Sequence, residues 1–260
     1  MGTFIICFGQ IVLYTLGVIV VCGLAVEVCY RLCFALMGRR TGRVFWFATS
    51  WLGTPVHEAG HALMCLLFAH RIEKIRLIPT RRGGAVVEHS YDRSNVYATL
   101  GNLFIGLGPI VTGLGVIIAV LCLVYPNAMQ GYLGEQADFF GRVWRLCCGL
   151  LTEQTHAIWV RILALALLFS VTLHVRLSAS DVRGMLHGLP GYLILCALAA
   201  VVVAIVGGET PSRVAQSLRS FAGVVAGLFG LILLFAVIQL AVVAVYRLVV
   251  ALLAPLRGGK

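Results

Sequence analysis

The segment His57-Glu58-Ala59-Gly60-His61 places two imidazoles and a carboxylate within five positions. On a helix, residues four apart share a face, so both rings reach one metal ion. Glu58, directly after the first of them, reaches a water bound to that metal. Zinc suits such a set, because two nitrogens and one oxygen hold it and a fourth position stays open for water. The metal lowers the pKa of that water and polarises a scissile carbonyl. Glu58 then takes the water's proton and passes it to a leaving amine. HExxH by itself is a common pattern, and its setting sharpens it: Phe45 to Ala69 carries no other charged residue. Ionisable groups inside an apolar segment of this kind are costly and usually functional.

A catalytic zinc needs a third protein ligand. The polar candidates outside the motif are His70, His89, His156, His174, Asp181 and His187. His70 follows the metal helix too closely to fold back. His89 lies in a polar segment and His156 opens an apolar run. Asp181, in Ser178-Ala-Ser-Asp181, is the first choice, since an anion partly neutralises the metal in a medium of low dielectric. His174, seven residues upstream, is the second. If Asp181 is the ligand, His174 stands nearby and hydrogen-bonds the substrate or the developing oxyanion. Ser-Ala-Ser-Asp is also a good helix-capping sequence, so Asp181 is alternatively a cap.

The elements that must position these groups are apolar. Of 260 residues, 60% are hydrophobic and 12% charged, with mean hydropathy +0.99. A soluble domain carries about twice that share of charge, so soluble and disordered classes are excluded. Six apolar runs have the length and composition of membrane spans: Phe4 to Val26 or beyond, Phe45 to Ala69, Val96 to Tyr125, Ala157 to Leu173, Leu189 to Val206 and Phe221 to Leu253. The expected fold is an all-α polytopic membrane protein of about six transmembrane helices. A short hairpin at the membrane edge follows the metal-binding helix, suggested by Ile72, Ile75 and Val86-Val87 around Pro79 and Gly83-Gly84. Pro126 to His156 reads as a mixed loop.

Twenty Lys and Arg against ten Asp and Glu give a net charge of +10. The basic residues, Arg31, Arg39, Arg40 and Arg43 among them, fall in connectors, where anionic lipid headgroups rather than nucleic acid are the expected partner. The nine cysteines contain no CxxC pair and mostly lie in apolar runs, as small hydrophobes do. No basic stretch precedes Phe4, so the first helix is expected to remain as an anchor. Alternation of the spans satisfies the positive-inside rule only weakly, and orientation is left open.

HEAGH in an apolar helix, a basic hairpin with Gly-Gly, a glycine- and proline-bearing span (Gly101-Asn102 to Pro109) and a distal Asp near a span end together resemble the site-2 protease type of intramembrane metalloprotease. The resemblance covers residues 46–190 of a single integral domain. Residues 1–45 form an anchor helix and basic connector, and residues 191–260 form C-terminal helices. It implies that His57 and His61 ligate zinc, that Glu58 is the catalytic base and that Asp181 is the third ligand. The family writes that Asp in an Asn-Pro…Leu-Asp-Gly pattern, whereas Asp181 is followed by Val182-Arg183-Gly184 and no Asn-Pro precedes it. The family's inter-helix soluble domain is absent. The resemblance further implies that the hairpin pairs with an unwound, membrane-anchored protein substrate, with Gly83, Gly84, Val86 and Val87 at the edge. A basic loop lying on headgroups is the alternative. Asn102 binds the substrate or makes an ordinary interhelical hydrogen bond; Gly101 to Pro109 otherwise reads as a packing element. A prokaryotic cytoplasmic membrane is the expected location. Two other functions compete: a zinc-binding, non-proteolytic assembly or maturation partner, and a transporter subunit, which favours repeated halves that this sequence lacks.

Overall fold

The computed structural model describes residues 1–80, 84–134 and 138–257, and within these not the side chains of 39, 40, 43, 44, 46–48 and 251–257. Gly83 of the expected hairpin edge, and the side chains of Arg39, Arg40 and Arg43, therefore lie outside the described residues.

The chain opens with α1 (Gly2–Gly38), apolar almost throughout, with one widened turn at Leu13–Gly17. Gly38 ends it at φ +71°, in the left-handed region where a side chain is strained. A second helix, α2 (39–67), carries the HEAGH motif, which begins two residues after Pro55. Ala69, at φ +58°, reverses the chain so that the His70 N–H donates to the Cys65 carbonyl at 2.8 Å. Two antiparallel strands follow, β1 (Arg71–Arg76) and β2 (Val86–Ser90), running from Arg71 opposite Ser90 to Arg76 opposite Val86. The cross-strand pair Lys74–Glu88, at 2.8 Å, supports that register.

Asn95 starts α3 (Val96–Val124), its side chain accepting the Ala98 N–H at 3.2 Å. Beyond α3 come α4 (Pro126–Leu133), α5 (Phe139–Thr152), α6 (Ile158–Thr172), α7 (Ala179–Val206) and α8 (Thr210–Arg257). The central helix is α3, which packs on α2, α6 and α7. Its buried Leu103, Ile110, Ile117 and Leu121 join Leu228 and Phe229 of α8 in the main core. Small residues set these approaches. A Cβ on Gly60 would sit 2.5 Å from both atoms of the Gly108 carbonyl group, and one on Gly106 would sit 2.8 Å from the Asp181 carbonyl. Glycines on α2 and α3 thus bring two helices against the central one at the depth of the motif.

This is a helical membrane protein with, among the described residues, one small two-stranded sheet. Six spans are not found: four helices among the described residues are long and apolar enough to cross a bilayer, Gly2–Gly38, Val96–Val124, Ala179–Val206 and Thr210–Val250. The run expected from Ala157 to Leu173 yields only the 15-residue α6. At 1.5 Å per residue that is about 22 Å, short of the ~30 Å hydrocarbon layer. The run from Phe45 to Ala69 is the motif-bearing α2, whose two His and one Glu interrupt its apolar character. The two C-terminal spans start earlier than expected, at Ala179 and Thr210. Residues 126–156, expected as a loop, contain α4 and α5.

Candidate metal centre

His57 and His61 lie one turn apart on α2, with ring centroids 5.1 Å apart. Each is held by a backbone carbonyl from a different neighbour. His57 Nδ1 is 2.9 Å from the His174 carbonyl in the α6–α7 connection, and His61 Nδ1 is 2.8 Å from the Ile105 carbonyl of α3. A carbonyl only accepts, so both Nδ1 atoms carry the proton and both Nε2 atoms present lone pairs. Metal-binding imidazoles are oriented in this way.

Asp181 arrives from the first turn of α7. Its Oδ2 accepts the Ser178 N–H at 2.9 Å while its own N–H donates to Ser178 Oγ at 3.2 Å, a complete capping box. Its Oδ1 lies 3.4 Å from His61 Nε2. Capping and metal binding are thus compatible for this residue, because Oδ2 makes the cap and Oδ1 is directed toward His61. The donor atoms of His57, His61 and Asp181 lie within 4.8 Å of one another. Tetrahedral zinc with bonds near 2.0–2.1 Å has ligand–ligand edges of about 3.3 Å, so the His61–Asp181 spacing already matches one edge. Two neutral imidazoles and a carboxylate fit zinc well.

Glu58 lines the same cavity, of about 460 Å³, together with His57, His61 and Asp181. Val86 of β2 and Asn102 of α3 contribute to its walls, and Asn102 Nδ2 donates to the Thr99 carbonyl at 3.0 Å. Gly84 does not line it; its carbonyl accepts from Arg76 Nη1 at 3.2 Å. The His174 ring is buried and also does not line the cavity. It lies against α2, where a Cβ on Gly53 would come within 2.3 Å of its Nδ1, and that Nδ1 donates to the Ser170 carbonyl at 2.8 Å. What His174 offers the metal face is its backbone carbonyl. Of the other candidate ligands, His156 bonds the Leu123 carbonyl at 2.9 Å, His187 faces Gly184 at 3.4 Å, and His70 pairs with His89.

Sequence inspection missed a buried ionic group beside the cavity. Glu27 of α1 receives Arg31 Nε at 2.7 Å and Arg176 Nη1 at 2.5 Å, and the Arg176 guanidinium lies 3.9 Å above the Tyr30 ring. Arg31 is therefore part of α1 and not of a basic connector. Arg176 lines the cavity, and its N–H shares the His174 carbonyl with His57 at 3.0 Å. The available signal was Glu27, the sole acidic residue between Gly2 and Gly38.

Compared with protein-family models, with curated proteins and with solved structures, the chain matches none.

Proposed function

We propose that this protein is a zinc-dependent intramembrane endopeptidase of the site-2 protease type, cleaving a peptide bond of a membrane-anchored protein. One observation carries the reading: two oriented imidazoles of α2 and a carboxylate from α7 converge on a cavity that Glu58 also lines. His57, His61 and Asp181 would hold the zinc, which when bound would supply Lewis acidity and lower the pKa of the attacking water. Glu58, adjacent to His57, accepts the proton of the attacking water and returns it to the departing amine nitrogen. The His174 and Ile105 carbonyls hold each ring with its Nε2 free for the metal.

A helical substrate must be unwound before its carbonyls are open to attack. Among the described residues β2 pairs only with β1, so its second edge is available to an extended peptide, and Val86 and Val87 line the cavity beside it. Asn102 stands on the same wall, and Gly84 sits at the approach to β2. Basic residues outside the four long helices meet anionic headgroups, and a prokaryotic cytoplasmic membrane is the proposed location.

The test is zinc content and turnover of purified wild type and Glu58→Gln. Wild type should hold one zinc and cleave a membrane-anchored reporter. The variant should keep the metal and lose about 100-fold or more in rate. Wild type without stoichiometric zinc, or near-normal cleavage by Glu58→Gln, refutes the proposal. Full zinc occupancy with no cleavage in wild type favours the non-proteolytic assembly role.

A further inference from the structure

His70 and His89 lie outside the metal ligands, and hydrogen bonding fixes the tautomer that each neutral ring adopts. His70 is buried at the α2–β1 turn, stacked on Tyr91 with ring centroids 4.7 Å apart. Its Nε2 is 2.7 Å from the Ala98 carbonyl. That oxygen only accepts, so in the neutral ring Nε2 holds the proton and His70 Nδ1 is left as a lone pair. His89 Nδ1 lies 3.0 Å from it and must donate. The proton of neutral His89 is therefore on Nδ1, and Nε2, on the opposite edge of the ring, is an acceptor with no partner among the described residues.

His89 sits on β2 and lines the same cavity as Glu58 and the candidate ligands. Its imidazole pKa is lowered, first by burial and then by the neighbouring His70 and His61, which favours the neutral form. A carbonyl–His–His relay thus leaves one oriented acceptor on a ring that lines the cavity, on the strand whose second edge is unpaired among the described residues.

We infer that His89 is a substrate-binding residue whose Nε2 accepts a hydrogen bond from one backbone N–H of an extended peptide in this cavity, with His70 as the positioning residue that fixes the tautomer. This deepens the endopeptidase reading and rests on it. The ligand class is a peptide in strand conformation, and the group recognised is a backbone amide, independent of side-chain identity.

The inference is tested with the zinc-loaded full-length protein in detergent and a fluorescent, hydroxamate-capped apolar tetrapeptide, alongside analogues N-methylated at one amide each. In wild type, one N-methyl analogue should bind about three- to tenfold more weakly than the parent, the range for one hydrogen bond. His89→Phe should weaken the parent peptide to the same extent and make that analogue's penalty vanish, because the two changes remove one interaction. His89→Asn, which keeps an acceptor, should recover part of the affinity, and acetohydroxamate alone should bind all forms alike. Equal binding of every N-methyl analogue to wild type, a result that needs no variant to fold, overturns the inference. So does a His89→Phe penalty that adds independently to each methylation. If acetohydroxamate fails to bind wild type, the metal-centre reading falls first and this inference falls with it; if acetohydroxamate binds and only the peptide effects are missing, this inference alone fails.

Discussion

Replacing Gly60 by Ala should weaken the proposed metal site without touching a ligand. The new Cβ would lie 2.5 Å from both the carbon and the oxygen of the Gly108 carbonyl and 2.5 Å from Thr112 Oγ1. Ordinary carbon contacts begin near 3.5 Å, so α2 and α3 must part by about 1 Å. Two of the three obstructing atoms are backbone, which no rotamer change relieves, so overpacking should cost about 1–3 kcal/mol. The same displacement acts on the 2.8 Å bond between His61 Nδ1 and the Ile105 carbonyl. Stretched by about 1 Å, it leaves the hydrogen-bonding range, and His61 loses its orientation. Loss of such an outer partner lowers metal affinity about 10- to 100-fold. Zinc affinity by chelator competition, read beside Tm for wild type, Gly60→Ala and Gly223→Ala, separates the effects. Gly223 is on α8 with nothing within 4 Å of an added Cβ, so its Ala variant should be neutral or slightly stabilised by helix propensity. A Gly60→Ala protein with wild-type zinc affinity and wild-type Tm would refute the link between helix approach and metal geometry.

Asp181→Asn should keep the α7 cap, since Asn still accepts hydrogen bonds, but lose zinc retention for want of an anionic ligand; equal zinc retention by the two proteins counts against Asp181 as ligand. His174→Ala should retain zinc, because His57 is held by the backbone carbonyl at 174, and should show its cost in Tm through the space left against Gly53; an emptied site in that variant would reverse the assignment. Glu27→Gln leaves Arg176, whose side chain is 21% exposed, without its counter-charge, and should lower stability by about 2 kcal/mol after allowance for that exposure, measured by thermal unfolding in detergent. Glu153, outside the long apolar helices, is pushed upward by burial, yet the N–H groups of Asn127 and Ala128 and the Thr155 hydroxyl hold its pKa below the ordinary 4.5. A depressed carboxylate contributes stability above its unfolded pKa and loses it as pH falls through the folded value, so Tm should drop on acidification below about pH 4.5, and a Glu153→Gln variant should show less of that drop.

Much of this protein follows from short-range chemistry. The HEAGH spacing puts His57 and His61 on one face of any helix that contains them, and Glu58 beside the first. The apolar runs require helices because a bilayer leaves backbone groups no other partner. The hairpin was legible from β-branched residues around Pro79 and Gly-Gly. The number of spans was not, because composition does not say where a helix starts. Polar residues at 179–188 and 210–220 continue α7 and α8, whereas the equally apolar run before Leu173 stops after 15 helical residues.

What only the tertiary structure decided is which distant groups meet. Asp181 and His174 were both open by spacing. Which of them nears His61 follows from α3, whose Gly106 and Gly108 admit the start of α7 on one side and α2 on the other, so that Asp181 Oδ1 comes within 3.4 Å of His61 while the His174 ring turns to Gly53. The partnership of Glu27 with Arg176, 149 residues away, and of His70 with His89 likewise arise only when helices and hairpin are packed. Local sequence determines the periodicity that presents a side chain on a face; whether another face comes within hydrogen-bonding reach depends on how close two backbones can approach, which is a property of the pair and not of either segment.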